Sequence, residues 1–265
     1  MSRRVVILGA GPAGLAAAQA AAASGAEVVL LDEGDRVGGQ FWRHHPTITD
    51  PRMQHQWARF TRLRDALHRV TVHTRASVWH VETDPGIRVH ALIGPADAAG
   101  REAITVDADA LVIATGAHDR ALPVPGWTLP GVTTAGAAQA IAKRDGVTPG
   151  HRTVVAGAGP FLLPAATSIA LAGGSVAEVV EATGPTAIAR GWGRAPWQLA
   201  ASAGKVGELA GYARTLVRHR TPYRLGQAVT RIHGTHAVEA VTIQRIDADW
   251  RPVAGTERTV ECDSV

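Results

Sequence analysis

The sequence predicts an α/β protein made of two Rossmann-like, three-layer dinucleotide-binding domains, the second nested in the first. Three observations predict it. An apolar strand, the turn Gly9-x-Gly11-x-x-Gly14 and an alanine-rich helix open the chain. The run Val6-Ile7-Leu8-Gly9-Ala10-Gly11-Pro12 returns as Val154-Val155-Ala156-Gly157-Ala158-Gly159-Pro160. An acidic residue ends the second apolar strand of each copy.

Taken in order, Val5–Leu8 reads as a fully apolar strand, Gly9–Gly14 as a glycine turn, Leu15–Ala23 as a helix stopped by Ser24-Gly25, and Val28–Leu31 as a second strand. That is a βαβ unit whose parallel strands are buried on both faces. Residues 52–69 form an amphipathic helix through Trp57, Phe60, Leu63 and Leu67. Strands are expected at Val70–Thr74, Val78–Val81, Ile87–Ile93 and Ala103–Val106, and the turns Asp84-Pro85-Gly86 and Gly94-Pro95 suggest a small antiparallel meander. Leu111–Ala114 is a further strand, ending in Thr115-Gly116.

Pro123, Pro125, Gly126, Pro130 and Gly131 form a stiff joint, read as the linker between a first domain over 1–125 and a second over 126–258. In the second copy Gly173 takes the place of Gly25 and Glu181 that of Glu33. A last echo, Thr259–Val265, matches Thr105–Leu111. The first copy continues through Val112-Ile113-Ala114-Thr115-Gly116 and the second stops, so 259–265 is read as the start of a strand returning to the first domain in a chain truncated at its C-terminus.

Composition narrows the class. With 265 residues, 46% apolar and 19% charged, the chain can build real cores, which excludes a disordered segment. Its one cysteine, Cys262, excludes a disulfide, a CxxC redox pair and a cysteine-held metal or iron–sulfur site within these residues, and the histidines lack zinc spacing, so no metal site is expected. A reducing, cytoplasmic compartment fits.

The net charge of +4 comes from a basic excess in which only Lys143 and Lys205 are lysines, a coding bias rather than a sign of a nucleic-acid partner. Arg190, Arg194, Lys205, Arg214, Arg218, Arg220 and Arg224, opposed only by Glu208, read as a solvated helix face or as a surface for an acidic partner. Arg3-Arg4 followed by an uncharged stretch resembles a signal peptide, but the glycines and Glu27 break it. Membrane association is at most peripheral, at the inner face.

The opening motif carries the chemistry. Gly9 permits a tight turn, Gly11 lets the backbone approach a pyrophosphate, and Gly14 allows close helix–strand packing. Pro12 and Ala13 start a helix whose N-terminal amides and partial positive charge favour phosphate. Asp32, or its neighbour Glu33, would accept hydrogen bonds from ribose hydroxyls. Gly38-Gly39-Gln40 and Ala114-Thr115-Gly116 supply two further backbone approaches, which favours FAD over NAD at this first site.

Val5–Gly14, Asp32–Gln40 and Leu111–Gly116 together resemble the flavoprotein oxidoreductases with two dinucleotide-binding domains. Gly38-Gly39-Gln40-Phe41-Trp42-Arg43, Leu122–Gly131, Gly136-Ala137-Ala138-Gln139, Gly157–Leu163 and Asp247–Pro252 are similar to the FAD subunit of enzymes of the opine oxidase and hydrogen cyanide synthase type. The resemblance implies an FAD-dependent oxidoreductase subunit that oxidises an amino acid or amino-acid derivative. It also implies a hetero-oligomer containing a small [2Fe–2S] component and a second flavoprotein subunit, with electrons passed to a redox partner.

At the second fingerprint the resemblance implies a nicotinamide site at Gly157, Gly159 and Glu181, with Glu181 favouring NAD over NADP. Leu162 in place of the third glycine, and Pro164 in the first helical turn, point instead to a degenerate structural domain. Both readings stand on sequence alone. No general acid, base or nucleophile is identified: His44-His45 and His118-Asp119 read as surface or linker groups. A self-contained NAD(P)H-dependent flavin or ferredoxin reductase and a non-catalytic scaffold are the alternatives.

Overall fold

A computed structural model describes residues 3–47, 53–193 and 203–265, with the side chains of residue 192 and residues 203–205 left aside. The chain forms two compact units, Met1–His118 and Asp119–Val265. Arg52, Arg194 and the side chain of Lys205 fall outside the described residues.

In the first unit the strands β1 (Arg4–Leu8), β2 (Glu27–Leu31), β3 (Val70–His73) and β7 (Ala110–Ile113) make a parallel sheet in the order β3-β2-β1-β7. Alternate side chains of β1 serve two layers, as the period of two in a strand requires. Ile7, with Val28 and Leu30 of β2, packs under α1 (Pro12–Ala23) and α2 (Trp57–Asp65) with Leu15, Ala18, Phe60 and Leu63. Val6 and Leu8, with Val29 and Leu31, face Ala76, Val89 and Ala91 of the antiparallel meander β4 (Ala76–Glu82), β5 (Ile87–Ile93) and β6 (Glu102–Ala108).

Alanine, the strongest helix former, fills α1 and lets it lie close to the sheet. Gly25, at φ +84, ends it in the left-handed conformation that a following glycine adopts without strain. Val70–His73 is a correction: the meander has three strands, and this segment joins the parallel sheet. It is reached through a helical crossover, α2 and a 3-10 turn at Ala66–Arg69, and a crossover delivers a parallel strand where a hairpin would deliver an antiparallel one.

The second unit repeats the plan. Parallel strands β8 (Arg152–Gly157), β9 (Ser175–Glu181) and β10 (Tyr223–Leu225) stand in the order β10-β9-β8. One face carries α3 (Ala135–Asp145), α4 (Leu162–Leu171) and α6 (Ala203–Arg218), with Ala138, Leu162, Ile169 and Leu216 buried together. The helix α5 (Pro185–Gly193) follows β9. The other face meets the meander β11 (Gln227–His233), β12 (Ala240–Arg245) and β13 (Arg258–Glu261) through Ile232, Val241 and Ile243.

Two boundary expectations are corrected. The Pro/Gly stretch is folded onto the second unit: Ile232 N donates to Pro125 O at 2.8 Å, Val238 N to Pro130 O at 2.9 Å, and Val265 N to Gly131 O at 3.0 Å. The division therefore falls seven residues earlier than the expected 125/126, at His118/Asp119, where the Asp119 carboxylate already accepts from Gly136 N near the start of α3. Residues 259–265 also stay in the second unit. Thr259–Glu261 pairs with β12, and Ser264 bridges Thr153 in parallel, as Ala110 pairs with Val5 in the first unit. Even the anchoring acid repeats: Asp109 accepts from Arg4 N, and Asp263 from His151 N and Arg152 N.

Candidate functional site

At the carboxyl end of the first sheet three loops converge. Gly9, at φ +98, turns the chain off β1, and its amide donates to Leu31 O at 2.7 Å. A Cβ on Gly9 would overlap the carbonyl of Ala114, and one on Gly14 would overlap the carbonyl of Gly9. Those two glycines are therefore required by the protein's own packing. Gly11 is different: its φ of −74 suits any residue, and a Cβ there would find only the Cα of Gly39, at 4.0 Å. Nothing in the chain itself calls for glycine at position 11. The open space above it, next to the first turn of α1 where the amides of Ala13 and Gly14 have no intrahelical acceptor, is a cradle a pyrophosphate would fill. Pro12, at the first helical position, lacks only an N–H that would have no partner there.

The second loop is tied to the first. Asp32, half-buried, accepts from Ala10 N and, at 2.8 Å, from Gly34 N, and Gly38 N donates to Ala10 O at 2.8 Å. A carboxylate has about four acceptor positions, so Asp32 retains capacity for ribose hydroxyls. Glu33 is exposed and turned toward Ser77, whose hydroxyl donates to it at 3.4 Å, which singles out Asp32 of the two. Gly38 and Gly39 have φ of +123 and +58, and a Cβ on Gly39 would come within 2.9 Å of Gly11 Cα, so this glycine pair passes flat against the glycine turn. Gln40 follows, exposed. Ala114, Thr115 and Gly116, the last at φ +77, bring the end of β7 beside Gly9, with Thr115 and Gly116 exposed.

Behind Gly38 lies an aromatic cluster the sequence does not announce. Trp42 is buried, donates Nε1–H to His55 O at 2.9 Å and packs on Phe60, which in turn packs on Trp57. The only forewarning is that Phe60 and Trp57 lie on the apolar face expected for α2. His44 belongs to this cluster: its ring stands edge-on to Trp57 and its Nδ1 lies 2.7 Å from Trp42 O. His45 bonds to Thr47. Both histidines line a cavity with Arg36, Trp57 and Phe60, and Asp119 of the His118-Asp119 pair is spent on α3.

In the second unit the predicted residues again meet at the end of β8, with one change of register. A β-bulge puts an extra residue into β9 after Val176, so that Gly157 pairs with Glu181. Glu181 is therefore the counterpart of Asp32 and not of Glu33. The residue is 2% exposed, and its carboxylate accepts from Gly159 N, Thr183 N and the Tyr223 hydroxyl. Burial, and then the neighbouring Glu181, pushes the Tyr223 hydroxyl up to about 12. Of the basic run, Arg190, Arg214, Arg218 and Arg220 are exposed, which suits a solvated face. Arg224 lies 3.9 Å from the buried Glu178, an opposing charge that sequence proximity does not reveal. Among the described residues no cluster of three metal-ligating side chains occurs, and no helix is long and apolar enough to cross a membrane.

Residues 3–193 match the pyridine nucleotide-disulphide oxidoreductase family. The chain belongs to this family. Its members are FAD-dependent oxidoreductases that often bind NAD(P) as well. An opine oxidase subunit from Agrobacterium tumefaciens (strain Ach5) is 41% identical over 174 residues, covering 64% of this chain and 35% of that protein. Hydrogen cyanide synthase subunit HcnB of Pseudomonas aeruginosa is 32% identical, covering 100% of this chain and 56% of that protein. The chain thus spans about half, or less, of the length of these curated relatives. Among solved structures, L-proline dehydrogenase from P. horikoshii superposes with a TM-score of 0.59 at 20% identity over 100% of this chain and 41% of that one, a likeness of fold.

Proposed function

We propose that these residues form the FAD-holding part of an oxidoreductase subunit that oxidises an amino acid or amino-acid derivative and passes the electrons to a partner subunit. The carrying observation is Gly11, a glycine the fold does not need, facing open space between the helix start and the Gly38-Gly39 pair. Gly11, Ala13 and Gly14 would hold the pyrophosphate, Asp32 the adenosine ribose, and Gly38–Gln40 with Ala114–Gly116 the remainder of the flavin. Bound FAD supplies the two-electron chemistry, while the chain binds it, orients it and excludes water. The substrate class follows from the relatives named opine oxidase and hydrogen cyanide synthase, and their designation as subunits supports a hetero-oligomer. A [2Fe–2S] component in the same assembly, and a cytoplasmic setting that suits the buried free Cys262, belong to the same reading.

The test is purification with a flavin absorbance spectrum, followed by anaerobic addition of opines and amino acids to the assembled enzyme. Bleaching of the oxidised flavin by one of these substrates is expected. A chain that takes up no FAD at any concentration refutes the cofactor assignment. Flavin-loaded enzyme reduced by NADH or NADPH and by no amine refutes the substrate class.

A further inference from the structure

The family often binds NAD(P), and the second glycine turn is where it would sit in this chain. The residues there do not fit it. We infer that the fingerprint Gly157–Leu162 is closed by the protein's own groups and that the Asp119–Val265 unit takes no nicotinamide dinucleotide.

The two turns share sequence and differ in conformation. Gly11 has φ −74 and leads straight into α1 at Pro12. Its counterpart Gly159 has φ +104, and α4 starts only at Leu162, after Pro160 and Phe161 have been used in a tight turn. Glycine at 159 is thus explained by its backbone conformation, whereas at 11 only a ligand explains it. The amides of Gly159, Leu162 and Leu163 are also committed. Gly159 N donates to both oxygens of Glu181, at 3.2 and 2.9 Å, while Leu162 N and Leu163 N point to Gly159 O and Pro160 O.

Glu181, the acid that should receive a ribose, is almost without solvent contact and already accepts from Thr183 N at 2.8 Å and Tyr223 Oη at 3.3 Å. The third position closes the site from the helix side. Gly14 leaves no room for a Cβ against Gly9, whereas Leu162 fills the equivalent place, 4% exposed, with its Cδ2 3.2 Å from where a Cβ of Gly157 would stand. Its side chain belongs to the core with Ile169 and Val179, so withdrawing it to admit a ligand would open a cavity.

The closure concerns the second unit alone, so it is tested apart from the proposed function. Calorimetric titration of the FAD-loaded chain with NADH and with NADPH is expected to show no saturable binding up to about 1 mM. Binding seen only in the FAD-free chain and displaced by FAD belongs to the first glycine turn and agrees with the inference. If the chain takes no FAD, the same titration is made on Gly11→Val, whose first turn is blocked; that outcome sinks the cofactor assignment and leaves this inference standing or falling by itself. One equivalent of NADH or NADPH bound in addition to FAD, or bound by Gly11→Val, overturns it. A second reading separates an internal clasp from an empty ligand site. Glu181→Ala, with no nucleotide present, is expected to lower Tm by at least about 4 °C, because three donors lose their acceptor. An unchanged Tm also overturns the inference.

Discussion

Substituting Gly11 tests the first site with the fold held constant. Its φ of −74 and ψ of −172 are open to every residue, and the added Cβ would meet only Gly39 Cα, at an ordinary 4.0 Å. Gly11→Ala is therefore expected to leave the fold intact and to raise its stability by about 0.4–1 kcal/mol, because the unfolded chain loses freedom. Binding should respond in the opposite sense. A hydrogen bond from a backbone amide to a charged phosphate contributes about 1.5–3 kcal/mol. Displacing the pyrophosphate from two such amides costs about 3–6 kcal/mol, or roughly two to four decades of affinity at about 1.4 kcal/mol per decade.

Gly11→Val should reach the upper end, since its methyls project further into the cradle. The assay is FAD titration by quenching of flavin fluorescence, run beside thermal unfolding of the same proteins without FAD, so that a change in bound ligand does not enter the Tm. Gly14→Ala is the contrast: its Cβ would overlap the Gly9 carbonyl, so Tm should fall along with binding. FAD affinity within about threefold of the parent in Gly11→Val would refute the assignment of this space to the pyrophosphate. So would a Tm loss in Gly11→Ala, since it would show that the glycine is there for the fold.

Asp32→Ala is expected to weaken FAD by about one to two decades in the same titration, the range for losing one or more hydrogen bonds to a charged acceptor, while Glu33→Ala leaves it unchanged. Arg258 forms a bidentate pair with Glu178 at 2.7 and 2.9 Å; Arg258→Ala leaves a carboxylate whose side chain is 6% exposed with the more distant Arg224, at 3.9 Å, as its remaining ion pair. The loss in urea denaturation should be about 2–3 kcal/mol, short of the roughly 3–5 kcal/mol for fully buried pairs because the arginine keeps part of its surface in water. Burial, and after it Asp263, raises the Cys262 thiol from 9.0 to about 11, so a thiol reagent at neutral pH should label it only at the rate of unfolding. The folded thiol keeps its proton between those values while the unfolded one releases it. Stability is thus expected to fall as pH rises through that window, and Cys262→Ala should flatten the fall.

Both βαβ openings, the glycine turns and the helix stop at Gly25 were legible in the sequence. Each depends on a signal carried within a few residues: the period of apolar side chains, the freedom of a glycine, the bias of alanine toward helix. What had to wait for the tertiary structure was pairing between distant segments. Val70–His73 looks like any short apolar strand, and only the helical crossover before it places it parallel to β2. The Pro/Gly stretch reads as a linker until Pro125 and Pro130 are found accepting hydrogen bonds from Ile232 and Val238. Thr259–Val265 echoes Thr105–Leu111 faithfully, and only the structure shows that its residues pair with β12 and β8 of the second unit. Most consequential is the single extra residue in β9, which no local signal reveals. It moves Glu181 into the place of Asp32, where a longer side chain reaches Gly159 N. Two turns of nearly the same sequence are thereby given different conformations by partners far along the chain.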